Sequence, residues 1–408
     1  MQSQSRPLNH RFVVFEAVVL ALILILTGAV SRLKADTGTC SGNTITLPFN
    51  DVMGNSLFCF IAEVYFLGIT AGCGNGTAYC PNETVTRAAM AVFLDRTHDS
   101  ALKRGSRRAA LDQFWTTQGG ASLGLTTVGD YPQLVKSDGV DLWVANSHSG
   151  TVSRVRASDG KKLEEWTGAS GAFGVLVAMG KVFITGSHFL YQIDPQGPCC
   201  AVTTVTDQLS VFSQGVAFDG ARIWVASIGD PKPEINSPPS VSIVTLNPVS
   251  VTTVRTGFSQ PAGLVYDGAN MWLTDQGDFS LKKLDSNGNV LFSIQRGAGY
   301  PAFDGTNIWV PNGTNAVVVV RASATDPTKA VLATLTANGL QSATQAAFDG
   351  QRVLVTGEIN STVSLWRAAD FAPLGTFVIS TGSSAFGACS DGINFWITLH
   401  STNQLVRF

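Results

Sequence analysis

The sequence predicts a mainly β protein, a seven-bladed β-propeller preceded by a small N-terminal helical module stapled by disulfides. Three observations predict it. An Asp-Gly pair recurs at Asp138, Asp219, Asp267, Asp304, Asp349 and Asp391, with Met179-Gly180 standing in once, and a period of roughly 40 residues is that of a propeller blade. Four residues past each of these Asp-Gly glycines stands Trp143, Trp224, Trp272, Trp309, Leu354 or Trp396, while Phe183 follows Gly180 at three. Four of the seven cysteines, Cys40, Cys59, Cys73 and Cys80, crowd into the N-terminal fifth of the chain.

Composition bounds the function. A chain of 408 residues that is 45% hydrophobic and 14% charged can bury a large core. A net charge of -2 lacks the clustered cations that nucleic acid requires, so no nucleic-acid partner is expected. Forty-one glycines against five histidines describe a turn-rich chain with little spare catalytic chemistry.

From the N-terminus, Arg6, His10 and Arg11 precede an apolar run whose charge-free part is Ala17 to Val30. That is the length of a secretory h-region and shorter than the roughly 20 residues of a membrane span. Residues 1–35 read as a signal peptide or, if uncleaved, as an N-terminal anchor and the chain's one membrane contact. The protein is expected outside the cytoplasm, at the cell envelope or in the medium. The cysteine cluster agrees, because disulfides persist in oxidising compartments. Zinc is the alternative, but Cys73 and Cys80 are separated by six residues where zinc knuckles have two to four. Connectivity is open from sequence, with Cys73–Cys80 as the natural local loop, leaving Cys40 with Cys59. Cys199, Cys200 and Cys389 lie apart and are expected as buried or free thiols.

Residues 40–98 read as two short helices around a glycine-rich loop. Phe58, Ile61, Tyr65 and Phe66 recur at helical spacing before Gly68, and a second stripe, Ala89, Met90, Phe93 and Leu94, follows Thr84 and Thr86. The segments FNDV, IAEVYFLGITAGCGNG, YCP and VTRAAMAVFLDR, in that order, resemble the S-layer homology (SLH) domain. That resemblance implies attachment to cell-wall polysaccharide through a Thr-Arg-Ala-Glu motif, and Thr86 and Arg87 match its first two positions. Ala89 stands where the family has glutamate, and one copy is present where the family commonly has three, so a protein-contact module for envelope proteins is the alternative. Residues 99–109, with Lys103, Arg104, Arg107 and Arg108, read as a solvated basic linker.

Residues 110–408 carry the ring. The Asp-Gly pair suits the positive φ angles of a tight hairpin, and the tryptophan on the following strand is placed to pack between neighbouring sheets. One unit reads PQLVKS, DLWVANS, TVSRVRAS, KKLEEWT. The last unit has three strands, and Ala110–Thr117, which resembles KLEEWT, is expected to supply its fourth and remove the exposed edge. The repeat resembles the propeller class of the streptogramin (virginiamycin B) lyases and the YVTN or NHL-like repeats. Those lyases linearise a cyclic peptide antibiotic with histidine, acidic residues and magnesium. Their catalytic residues do not align one by one with this chain, so the resemblance implies the blade and not the chemistry.

Loops between second and third strands line one mouth of such a ring. They place His148, His188 and His400 in three consecutive blades, with Asp275 and Glu358 across from them. These five residues are the candidate ligand-binding set, expected in exposed turns; the alternative is that polar residues simply populate such turns. Sheets pack about 10 Å apart, too far for three such histidines to share a metal unless they lie near the axis. No nucleophile elbow, HExxH, phosphate loop or CxxC is present, and neither a metal nor a cofactor is expected. The sequence thus reads as an exported, envelope-associated, non-catalytic binding scaffold. The alternative is a propeller lyase or hydrolase acting on an extracellular peptide or glycan, for which a divalent ion such as magnesium would be needed.

Overall fold

The structure, a computed structural model, describes residues 35–40, 43–66, 69–103, 124–230, 232, 235–336 and 339–408. The expected signal segment lies almost wholly outside them. The chain divides into two compact units, Met1–Ser100 and Ala101–Phe408.

The first unit opens with a hairpin that the helical reading missed: β1 (Asp36–Cys40) pairs antiparallel with β2 (Asn43–Leu47). The Asp36 carboxylate accepts the N–H groups of Val52 and Met53, holding the next turn against the hairpin. Helix α1 (Phe58–Phe66) buries Phe58, Ile61 and Ala62, while Tyr65 packs edge-on against the buried Phe49. Phe66, expected on the buried stripe, is exposed. Disulfides Cys40–Cys59 and Cys73–Cys80 tie the hairpin to α1 and close the glycine-rich loop. Helix α2 (Arg87–Lys103) runs five residues beyond the expected module boundary at 98. Its expected apolar stripe divides, with Ala89 and Phe93 half-buried and Met90 and Leu94 exposed.

The second unit is a ring of seven four-stranded antiparallel sheets, each running outward from an inner strand. Blade 1 spans 132–167, blade 2 172–206, blade 3 213–254, blade 4 261–294, blade 5 302–335, blade 6 343–378, and blade 7 385–407 with one strand from elsewhere. Trp143, Trp224, Trp272, Trp309 and Trp396 are all buried, and Trp143 packs between blade 1 and Val182 and Ile184 of blade 2.

The recurring aspartate has a role beyond the turn. Only the glycine of each Asp-Gly pair adopts positive φ, between 91° and 102°. The aspartate uses one oxygen to cap the turn N–H groups and the other to accept the indole N–H of the tryptophan five residues on, at 2.7–2.9 Å in five blades. A buried indole N–H needs such a partner. In blade 6, where Leu354 replaces tryptophan, the Arg352 guanidinium takes that oxygen of Asp349 instead. In blade 2, Ala178 pairs with Lys181 across a two-residue turn in which Met179 and Gly180 both have positive φ. The shorter turn explains why Phe183 follows at three.

The strand that completes blade 7 is Leu125–Thr127, pairing with Gln404–Arg407. The expected donor, Ala110–Thr117, lies outside the described residues. A strand closer to blade 1 leaves only 128–131 to reach the first inner strand, the short connection that successive blades favour. The likeness of QFWTT to KLEEWT therefore did not identify the partner of Gln404–Arg407. Of the remaining cysteines, Cys199 and Cys200 lie side by side in a surface loop of blade 2, and Cys389 is a buried free thiol, as expected.

Candidate functional site

The inner strands approach one another unusually closely at one end of the ring. A Cβ on Gly215 would lie 2.0 Å from the Ala262 carbonyl oxygen of the next blade, and one on Gly387 would lie 2.3 Å from that of Gln133. Only glycine permits this spacing. Second-strand threonines fasten it: Thr185, Thr356 and Thr398 each accept an N–H from their own inner strand and donate to the next blade's carbonyl at 2.7 Å. The side chains just before the glycines, Phe173, Gln214 and Phe386, are left to line the mouth.

There they bound a cavity of about 400 Å³ to which all seven blades contribute, within the size range of small-molecule sites. Its base is a cluster of three rings, Phe173, Tyr300 and Phe386, with centroids 5.8–6.1 Å apart. The Tyr300 hydroxyl donates to Gln214 Oε1 at 2.8 Å, and burial, followed by the charge of Glu358, pushes its pKa up.

A stack forms one wall. Tyr131 lies between two histidines, its ring centroid 4.3 Å from that of His148 and 4.5 Å from that of His400, and Phe386 covers the other side of His400 at 4.2 Å. Tyr131 has φ 56°, a costly conformation for a bulky residue. At the equivalent positions, directly before the inner strand, blades 2, 3, 6 and 7 place Gly171, Phe212, Ser342 and Ser384, all at positive φ, so the conformation belongs to the repeat. The tyrosine's strained backbone is held by Asn403 Oδ1, which accepts its N–H, and by Ser147, whose N–H donates to its carbonyl.

The expected site residues separate into three groups. His400 and Glu358 line the cavity. His400, expected in an exposed turn, is only 3% exposed, and neither ring nitrogen has a hydrogen-bond partner among the described residues. Burial, then the neighbouring His148, lowers its pKa to about 4. Burial raises the Glu358 carboxyl above its ordinary range. His148 sits at the exposed rim, 3.8 Å from Asp130, and reaches the site through Tyr131. His188 packs on Phe189, its ring centroid 4.0 Å away, and does not line the cavity. Asp275 is fully buried away from it, 2.5 Å from Lys282 Nζ and accepting the N–H groups of Ser259, Gln260 and Gly277. Its charge is committed to holding the blade 4 turn. Among the described residues no three His, Cys, Asp or Glu side chains converge to hold a metal ion.

In the first unit, Thr86 and Arg87 are exposed. Thr86 is the N-cap of α2, its hydroxyl accepting the Ala89 N–H at 3.1 Å.

Sequence reasoning missed Tyr131, Gln133, Phe173, Gln214, Tyr300 and Phe386. A signal was present: Phe173-Gly174, Gln214-Gly215 and Phe386-Gly387 occupy one column of the repeat, where an aromatic or amide precedes a glycine.

The fold and its mouth define a seven-bladed β-propeller with a ligand-sized cavity on its axis. Comparisons agree on the fold. The chain is similar to streptogramin B lyase, with a TM-score of 0.54 and 15% identity over 69% of this chain and 96% of that one. It is similar to a catalytically inactive histidine-to-alanine variant of virginiamycin B lyase from Staphylococcus aureus with quinupristin, at TM-score 0.57 and 14% identity, covering 70% and 97%. It is also similar to the WD40 propeller domain of Doa1, at TM-score 0.54 and 11% identity, covering 70% and 95%. No protein-family model matches the chain, and no curated protein matches its sequence. Likeness at this level is shared by lyase and scaffold alike, so it speaks to the ring and not to the chemistry.

Proposed function

We propose that this protein is an exported, envelope-associated propeller that binds a ligand in its axial mouth without transforming it. One observation carries the reading: His400, buried with both ring nitrogens unpartnered among the described residues, belongs to a cavity built by every blade. A native fold pairs its buried polar groups, and an exception points to a partner from outside. Tyr131, stacked on His400 with ring centroids 4.5 Å apart, lines the same cavity. Export is supported by the apolar N-terminal run and by the disulfides of the first unit. For the first unit, the exposed Arg87 at the start of α2 offers a cation to an anionic wall polymer, while Thr86 serves as the helix cap.

The test is binding of purified full-length protein to fractionated envelope polymers and peptides, compared between wild type and Tyr131→Ala. Retention that depends on Tyr131 supports the mouth; retention unaffected by the substitution assigns binding elsewhere.

A second reading, a lyase acting on a peptide ring, is favoured by one feature: Glu358 and His400 share a cavity, with the acid's pKa raised and the base's lowered. Such divergence is common in acid–base sites. Incubation with quinupristin followed by chromatography separates the readings. A ring-opened product selects the lyase, and unchanged peptide the binding scaffold.

A further inference from the structure

The mouth's lining narrows what it can hold. Three buried polar atoms, Gln133 Oε1 and both nitrogens of His400, have no hydrogen-bond partner among the described residues, and both side chains line the cavity. A neutral imidazole presents one donor and one acceptor, and the glutamine oxygen a further acceptor. The complementary ligand therefore carries several groups that both donate and accept, as hydroxyls do. Gln133 is pre-positioned for this by its own amide, which donates to Ser147 Oγ at 3.2 Å.

The apolar half of the cavity points the same way. Phe173, Tyr300 and Phe386 pack on one another, so no space remains between them for a caged cation. Tyr300 is buried beneath, and the half-buried Phe173 and Phe386 are left as the apolar contact for a ring that is apolar on one face and polar at its rim. Among the described residues no lysine or arginine lines the cavity, and Glu358 is the one acidic side chain that does. An anionic ligand would meet a carboxylate and no counter-charge. Inner-strand amides that a peptide backbone would need are already used: those of Gly174, Gln345 and Gly387 donate to the threonine latches, and those of Ala346 and Ala388 to Tyr300 and Gln345.

We propose that the axial mouth binds an uncharged saccharide, one sugar ring lying on the aromatic base while its hydroxyls engage His400 and Gln133. This rests on the reading of the mouth as a binding site.

The experiment is isothermal calorimetry on the full-length protein with maltotetraose, cellotetraose and tetra-N-acetylchitotetraose, against tetragalacturonate and an uncharged aromatic tetrapeptide. The variants are His400→Phe, which keeps the stacked ring and removes its nitrogens, and Gln133→Met, which keeps the shape and removes the oxygen. At least one neutral saccharide should bind, each variant should weaken it about tenfold, the cost of losing one or more hydrogen bonds, and tetragalacturonate should not bind. Thermal melting of each variant verifies folding, and an unfolded His400→Phe leaves Gln133→Met to decide. Binding of the tetrapeptide alone, weakened by the same variants, would overturn the saccharide assignment and leave the mouth as a binding site. Saccharide binding indifferent to both variants would place the sugar elsewhere and overturn it too. Absence of binding by every probe would overturn the saccharide and count against the mouth itself.

Discussion

Thr398 Oγ1 donates a 2.7 Å hydrogen bond to the carbonyl oxygen of Gln133, 265 residues away in sequence. The bond joins the last blade to the first, and the side chain of the same Gln133 lines the axial cavity. Ring closure and the candidate site therefore share a residue.

Thr398→Val should remove this latch, and with it the acceptor for the Gly387 N–H. Leaving buried polar groups unpaired costs about 1–3 kcal/mol. Urea denaturation should show a lower midpoint of that size.

The short strand Leu125–Thr127 is the second closure. A protein lacking residues 1–123 should keep a single sharp unfolding transition in its propeller, whereas one lacking 1–128 should expose the edge at Gln404–Arg407 and aggregate. Light scattering during thermal melting checks this. Equal behaviour of the two would show that Leu125–Thr127 is dispensable for closure.

Asp304→Ala should strip the Trp309 indole of its acceptor, 2.7 Å away, and free two turn N–H groups. The loss should be about 1–3 kcal/mol by chemical denaturation, with Asp304→Asn recovering part of it because its side-chain oxygen still accepts.

Stability should fall in mild acid because of His400. Its folded pKa of about 4 lies below the ordinary 6.5, so between these values the unfolded chain takes up the proton and the native ring does not. The contribution is fully present above pH 6.5 and is lost as pH falls through about 4, on the order of 3 kcal/mol. Denaturation profiles against pH should show this slope in wild type and a reduced one in His400→Phe. Glu358, whose folded pKa is raised, acts oppositely, destabilising as pH rises through its folded value. Glu358→Gln should therefore gain stability at neutral pH and little in acid.

The ring was legible in the sequence because its cause is local and repeated. An aspartate that caps a turn and accepts an indole N–H five residues on must recur at a fixed spacing in each blade that uses the pair, and Asp138 with Trp143 already displays it. Of the disulfides, Cys73–Cys80 was suggested by proximity in the chain, with Cys40–Cys59 as the pair left over, while the connectivity itself was decided by the fold. The closing strand was not, since three residues, Leu-Thr-Thr, carry no pattern and are chosen by where the ring ends meet.

The candidate site divides along the same line. Sequence by itself brought His148, His188, His400, Asp275 and Glu358 to corresponding loops, because loop position follows from the repeat. Only tertiary structure decided their environments. Tyr131 is slotted between His148 and His400, Phe386 covers His400, His188 turns to Phe189, and Lys282 binds Asp275 within blade 4. Burial and partnership are sums over neighbours that come from different blades, and the residues that build this mouth lie between 131 and 400 in the chain. A repeat fixes the direction in which each side chain leaves its strand, but what it meets on the axis is set by the other blades.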